Sequence, residues 1–121
     1  MIGSIGERVL RIALPHAQWW NTWFDWFGNS AEGFAKQNAH ISEIAREVGR
    51  DPKTLKRSAC LLVVTDASAG ERPVPDTYTA VTLTDIRQRV IEMHDAGADE
   101  VILVSDPINE RSVLALAQAL Q

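Results

Sequence analysis

Two short apolar runs in the second half of the chain predict buried strands. Residues 59–64 and 101–104 are almost purely apolar and contain many β-branched side chains, as is typical of strands covered on both faces. Between them, residues 83–96 repeat apolar side chains at intervals of three and four, which predicts an amphipathic helix. A strand, a helix and a second buried strand form a βαβ unit, whose strands pair in parallel.

The helix over residues 83–96 carries signals at both ends. Thr82 and Asp85 have the spacing of an N-cap residue and an acidic partner three residues later. Gly97 stands where a helix ends, because glycine adopts the left-handed conformation without strain. A final helix is predicted over residues 110–120.

The first half of the chain repeats this alternation less clearly. A helix is predicted over residues 5–14, since Pro15 would end it. A short strand over residues 16–20 follows, and Met1 and Ile2 would form only a very short first strand. The apolar side of the helix, expected to face a sheet, consists of Val9, Leu10, Ala13 and Leu14.

A longer helix is predicted over residues 30–48. Asn29 and Glu32 are spaced as a capping box at its start, and Gly49 is the expected C-cap. Residues 50–53 then form a turn. The buried stripe of this helix is predicted to be Phe34, Ile41, Ile44 and Val48.

Together these elements predict one α/β domain over residues 1–121. It has about four βα units and a parallel sheet, with no polar linker between the units. The longest irregular stretch, residues 66–79, has a length typical of a functional or mobile loop, although a plain surface loop is the favoured interpretation.

Composition narrows the range of functions. The net charge is -4 with 23% charged residues, and acidic and basic residues alternate along the chain, so we expect no nucleic-acid partner. No apolar run approaches the ~18 residues of a spanning helix, so we expect no membrane association. The single cysteine, Cys60, cannot form an intramolecular disulfide, which favours a reducing, cytoplasmic compartment.

A glycine-containing turn at the start of the chain is the first candidate site. Gly3, Ser4 and Gly6 are followed at once by Glu7 and Arg8, which open a predicted helix. Glycine lets a backbone approach a phosphate closely, and the first turn of a helix has unpaired N–H groups. The segment therefore suits phosphate binding, but a tight turn without a ligand remains an equally good interpretation.

A block of aromatic residues is the second candidate. The aromatic residues are interrupted only by Asn21, Thr22 and Asp25, so a helix here would be apolar nearly all round. Core packing or a subunit interface is one interpretation; a wall for a flat ring, with Asn21 as a polar contact, is the other. The block consists of Trp19, Trp20, Trp23, Phe24, Trp26 and Phe27.

The remaining chemistry-bearing residues give no catalytic set. His16, His40 and His94 lack metal-ligand spacing, so we expect no metal site. Cys60 starts a buried strand, where cysteine usually acts as a small apolar residue. No nucleophile, base and orienting group stand together, which argues against acyl transfer and leaves catalytic residues unidentified.

Several of these segments resemble the luciferase-like monooxygenases, which are flavin- or F420-dependent TIM-barrel enzymes. Residues 2–13 and 16–21 resemble that family's glycine loop, the following helix and its next strand. Residues 49–52 and 96–101 are similar to two later stretches, in the same order. The resemblance implies that the four βα units are the C-terminal half of a (β/α)8 barrel, since a whole barrel takes about 250 residues.

The resemblance also implies an activity. Gly3, Ser4 and Gly6 would offer N–H groups to a cofactor phosphate beside Glu7 and Arg8, and Trp20 and Asn21 would lie near the ring of F420 or FMN. The expected reaction is hydride transfer to or from a small organic substrate, or monooxygenation, with the cofactor performing the difficult step.

Half a barrel exposes two strand edges and half of the barrel interior, which predicts pairing. We expect a homo-oligomer or a complementing N-terminal half-barrel. A non-catalytic half-barrel remnant or protein-interaction module is the alternative, favoured by the missing half. A flavodoxin-like module fits the alternation but leaves the aromatic block unexplained.

Overall fold

Four parallel strands form the centre of the molecule. The computed structural model describes residues 1–121, and its strands are β1 (Ile2–Gly3), β2 (Trp19–Thr22), β3 (Lys56–Val64) and β4 (Glu100–Asp106). They lie in the order β1-β2-β3-β4, and each neighbouring pair is parallel. The predicted α/β fold with a parallel sheet is confirmed.

A helix follows each strand. The α-helices are α1 (Glu7–Ala13), α2 (Ala31–Glu47), α3 (Ile86–Asp95) and α4 (Glu110–Ala119). The molecule therefore contains four βα units, as the sequence predicts. Three short 3₁₀ helices lie in the connections, at Phe24–Phe27, Pro52–Thr54 and Ala67–Ala69.

The starts of α2 and α3 differ from the prediction. Ser30, not Asn29, is the N-cap of α2, because its Oγ accepts a hydrogen bond from the Gly33 amide at 3.0 Å. The expected contact between Asp85 Oδ1 and the Thr82 amide forms at 2.7 Å. It closes a turn ahead of α3, which begins three residues later than predicted, at Ile86.

Asn29 instead joins two loops to β3. Its backbone is left-handed, with a φ of 55°, and its side chain is buried. The side-chain amide donates to the carbonyls of Leu62 at 2.9 Å and Thr79 at 3.1 Å, and Oδ1 accepts from the Leu62 amide at 2.8 Å. Asn29 therefore stabilises the carboxyl end of β3 rather than a helix terminus.

The aromatic block is not a helix. Its first part is β2, and its second part is the 3₁₀ turn Phe24–Phe27, which ends at Gly28 with a φ of 65°. The predicted strand over residues 16–20 is displaced because Arg50 donates to the carbonyls of Leu14 at 2.9 Å and Ala17 at 2.7 Å. These bonds extend the turn after α1.

The main core lies between the sheet and the helices. Leu10 of α1 and its C-cap residue Leu14 are buried as predicted, but Val9 is exposed. On α2 the predicted stripe is confirmed except for Val48, which caps the helix and is half-buried. The largest enclosed side chains are Trp20, Phe34, Leu10, Leu14, Ile41, Ile44, Leu61, Leu62, Ile86 and Met93.

Arg57 ties the start of β3 to α2 although it lies in the core. The side chain is 6% exposed, and its guanidinium donates to both oxygens of Asn38 and to Ser42 Oγ at 2.7–3.1 Å. Further bonds reach the carbonyls of Leu55 and Pro52. Burial lowers the pKa of Arg57, and the nearby Asp99 carboxylate opposes that shift.

We expect Arg57→Met to lower the free energy of unfolding by about 2–4 kcal/mol, because it leaves several half-buried acceptors without a donor. Urea denaturation followed by circular dichroism measures this change. Lys53→Met removes an exposed cation from the adjacent turn and should change stability by less than about 0.5 kcal/mol. Equal effects of the two substitutions would contradict the assigned role of Arg57.

Candidate functional site

The carboxyl ends of all four strands meet at one edge of the sheet. The loops that leave this edge are residues 4–6, 23–30, 65–85 and 107–109. Ligand sites of parallel α/β folds occur at this edge, because side chains and amides from several strands converge there. The predicted glycine loop lies at this edge, directly after β1.

The glycine loop is held by two hydrogen bonds. The Trp20 indole N–H donates to the Ser4 carbonyl at 2.9 Å, and Ser4 Oγ accepts from the Gly6 amide at 3.2 Å. The N-cap of α1, Gly6, supplies no side-chain cap, and the amides of Glu7 and Arg8 have no acceptor on the protein. Unpaired donors therefore remain available at this loop.

Neither glycine of the loop is required by the protein's own packing. A Cβ at Gly3 would lie 3.8 Å from the Asn21 carbonyl oxygen, and one at Gly6 would lie 3.7 Å from Ser4 Oγ. Both are ordinary contacts, and the φ of Gly6 is -74°. A larger residue would therefore fit, and the glycines leave open space beside the free amides.

Trp20 is not placed as the resemblance implies. Its side chain is 0% exposed and stacks on Phe34 of α2 with ring centroids 6.3 Å apart. The ring therefore lies on the helix-covered side of the sheet and has no exposed surface for direct contact with a ring cofactor. Trp20 acts on the loop indirectly, through its bond to Ser4.

The other predicted site residues are spread over different surfaces. Glu7 turns toward α2, where its carboxylate lies 3.2 Å from His40 Nε2. Arg8 is exposed and forms no ion pair within the chain. Asn21 is half-buried and follows Trp20 in β2, so it points to the opposite face of the sheet.

Asn21 contacts Cys60 on that opposite face. The Asn21 amide lies 3.7 Å from Cys60 Sγ. Burial raises the pKa of the Cys60 thiol; the hydrogen bond from Asn21 opposes this shift, and the charge of Glu100 adds to it. The thiol is therefore protonated and a poor nucleophile near neutral pH, in agreement with the structural role predicted for it.

A cleft at the same edge was missed by the sequence analysis. It lies between the loop of residues 65–85 and the ends of β3 and β4, has a volume of about 410 Å³, and is called the loop cleft below. The buried carboxylate of Asp106 fixes the loop by accepting from the amides of Glu71 at 2.8 Å and Arg72 at 3.4 Å. The available signal was an acidic residue, Asp106, two positions after the predicted strand over residues 101–104.

Two groups of interactions fasten this loop to the aromatic block. The Tyr78 hydroxyl donates to Asp25, and the Thr79 amide donates to the Gly28 carbonyl at 3.0 Å. The Tyr78 ring also meets Phe24 edge-on, with centroids 6.4 Å apart. The block thus supports the loops at the carboxyl edge.

The histidines form no site. His94 Nδ1 contacts the Ala98 carbonyl at 3.0 Å, and His40 faces Glu7 and Glu43. No group of three or more His, Cys, Asp or Glu side chains is arranged to hold a metal ion. No helix has both the length and the apolar composition that crossing a membrane would require.

No protein-family model and no curated protein matches the sequence, but solved structures match its fold. The coenzyme F420-dependent tetrahydromethanopterin reductase from Methanopyrus kandleri matches with a TM-score of 0.66 at 15% identity, over 98% of this chain and 48% of that one. An F420-dependent secondary alcohol dehydrogenase, solved with an F420–acetone adduct, matches with a TM-score of 0.63 at 13% identity over the same shares.

A third structure, apo-MsnO8, matches with a TM-score of 0.54 at 17% identity, over 97% of this chain and 49% of that one. The chain thus spans about half the length of the solved structures it matches. Its fold is half of a (β/α)8 TIM barrel, and the predicted half-barrel fold is confirmed.

We expect Trp20→Phe to loosen the glycine loop, because phenylalanine keeps an aromatic ring beside Phe34 but cannot donate to the Ser4 carbonyl. The free energy of unfolding should fall by about 1 kcal/mol, and hydrogen exchange over residues 3–9 should accelerate. Trp26→Phe is the control, since Trp26 is 40% exposed. Equal exchange in both variants would remove Trp20 from the support of the loop.

Proposed function

We propose that this chain forms the cofactor-binding half of an F420-dependent oxidoreductase acting on a small organic substrate. The observation that carries the proposal is the open glycine loop at the carboxyl edge of a half-barrel. When bound, F420 supplies a ring that accepts or donates a hydride, and the protein contributes binding and orientation. No catalytic side chain is assigned.

The residues at the loop suit a phosphate-bearing cofactor. The open positions beside Gly3 and Gly6 let a phosphate approach the free amides of Glu7 and Arg8. The Arg8 guanidinium is exposed and free of ion pairs within the chain, so it is a suitable counter-charge. Trp20 holds the loop through its hydrogen bond to the Ser4 carbonyl, and Asn21 offers an amide on the face of the sheet that no helix covers.

F420 is proposed ahead of FMN. Two of the matched structures are F420-dependent enzymes by name, a reductase and a dehydrogenase. Both activities are hydride transfers, so hydride transfer is proposed ahead of monooxygenation. FMN is kept as the competing ligand in the binding test.

We expect F420 to quench the tryptophan fluorescence of the chain saturably. FMN should quench it more weakly or not at all. Gly3→Asp should weaken F420 binding by about tenfold or more, because a carboxylate would fill the open space and repel a phosphate. Its fold should be unchanged, since a Cβ at Gly3 meets nothing closer than 3.8 Å.

Ala35→Asp is the matched control. It adds the same charge at an exposed position of α2, so F420 binding should equal that of the unmodified chain. Equal binding by the Gly3 and Ala35 variants would contradict phosphate binding at the loop. Absence of any F420 binding by an assembled sample would contradict the proposed function itself.

The proposed site also requires the barrel to be completed. Strands β1 and β4 are the two ends of the sheet and lack a neighbour on their outer sides. Apolar side chains are exposed beside both, with Ile12 of α1 68% exposed and Val113 of α4 58% exposed. A second half-barrel would pair its β1 with β4 and its β4 with β1, which brings α4 of one half beside α1 of the other.

We expect the purified chain to form a dimer or larger assembly in size-exclusion light scattering at micromolar concentration. Ile12→Glu should shift it toward the monomer, because a charge would be buried at the α1–α4 contact. Ile91→Glu is the control: Ile91 is 53% exposed on α3, which connects β3 to β4 within one half-barrel and takes no part in the proposed α1–α4 contact, so assembly should be unchanged.

A monomer in the unmodified chain, or equal effects of both substitutions, would contradict closure by a second copy and would favour a separate complementing half. Assembly without F420 binding would favour the second candidate function, a non-catalytic interaction module. The exposed apolar residues at both edges are the observation that favours this candidate.

A further inference from the structure

We infer that the loop cleft is a second binding site, and that it takes a small apolar carboxylate whose negative charge is bound by Arg72. The cleft volume of about 410 Å³ lies within the range of about 300–1,000 Å³ typical of small-molecule sites. No residue of the glycine loop lines it, and neither does Asn21. The loop cleft is therefore separate from the proposed cofactor site.

Most of the cleft is apolar. The lining includes Leu62 and Val64 of β3 and Val74 and Val81 of the loop, and the Val64 amide donates to the Val81 carbonyl at 2.9 Å. Side chains of this kind stabilise a bound ligand by removing its apolar surface from water, which contributes a binding free energy of about 25 cal/mol per Å² buried. They would accept an aromatic ring or a short branched chain without specifying its polar groups.

The polar groups of the cleft are mostly occupied by the protein. Asn29 uses both ends of its amide on Leu62 and Thr79, and Asp106 accepts from the amides of Glu71 and Arg72. These side chains hold the cleft in shape. Asp106 is only 1% exposed, so its carboxyl group offers a ligand almost no surface.

Arg72 is the charged side chain of the cleft that the protein leaves unpaired. Its guanidinium carbon lies 5.8 Å from the ring centroids of both Trp23 and Phe24, and its side chain has no hydrogen bond or ion pair within the protein. Arg50 and Arg57, by contrast, donate to several acceptors. Two rings thus position a guanidinium whose N–H groups remain free.

A carboxylate matches that arrangement. The planar guanidinium binds a carboxylate through two parallel N–H···O bonds, and contact with aromatic faces leaves the N–H edges accessible. The apolar walls and this single free cation together define a ligand with an apolar body and one carboxylate. A cationic ligand would be repelled by the Arg72 guanidinium.

The probes are 1-naphthoate and its neutral counterpart 1-naphthamide, titrated into the full chain by isothermal calorimetry. We expect naphthoate to bind more tightly than naphthamide. Arg72→Gln should weaken naphthoate binding by about ten- to a hundredfold, as expected for the loss of a charge-assisted pair. Naphthamide binding should stay within about twofold, which shows that the cleft is still formed.

Two further variants separate shape from charge. Ala80→Phe places a ring at an exposed position that lines the cleft, and it should abolish binding of both probes. Lys53→Gln removes a distant exposed cation and should change neither. Equal affinity for the two probes, no binding of naphthoate, or tighter binding of 1-naphthylmethylamine than of naphthoate would each overturn the inference, whatever the F420 titration shows.

Discussion

The burial of β3 on both faces is the constraint on which the rest of the structure depends. Seven consecutive residues of this strand, from Arg57 to Val63, are buried. Both of its edges are also occupied, by β2 and β4 in parallel register. Because the pairing is parallel on both sides, the carboxyl ends of all four strands lie at one edge of the sheet. The glycine loop, the aromatic block and the loop of residues 65–85 therefore become neighbours although they are distant in sequence.

The sequence predicts the units of this fold because their signals are local. Apolar runs identify β3 and β4, and the spacing of Phe34, Ile41 and Ile44 identifies α2. The aromatic block was misassigned because its conformation is decided by distant partners. Arg50 holds the turn ahead of β2, and Phe34 supplies the surface on which Trp20 stacks.

The candidate site likewise has one part with a local sequence signal and one part that distant residues form. The glycine loop was found because its residues are contiguous and resemble a known pattern. The loop cleft was not found, since it combines Leu62, Arg72 and Asp106 from three separate segments. Asn29 was read as a helix cap for a similar reason: the local spacing of Asn29 and Glu32 fits a capping box, whereas its actual partners lie 33 and 50 residues away.

The two open edges of the sheet are different from each other, and this has an evolutionary consequence. One edge is β1 and the other is β4, and the strands between them follow in the order of the sequence. A unit of this kind can be added to itself head to tail without any change in topology or handedness. Duplication and fusion of such a gene would therefore yield an eight-stranded ring directly, with each copy then free to diverge in its carboxyl-edge loops.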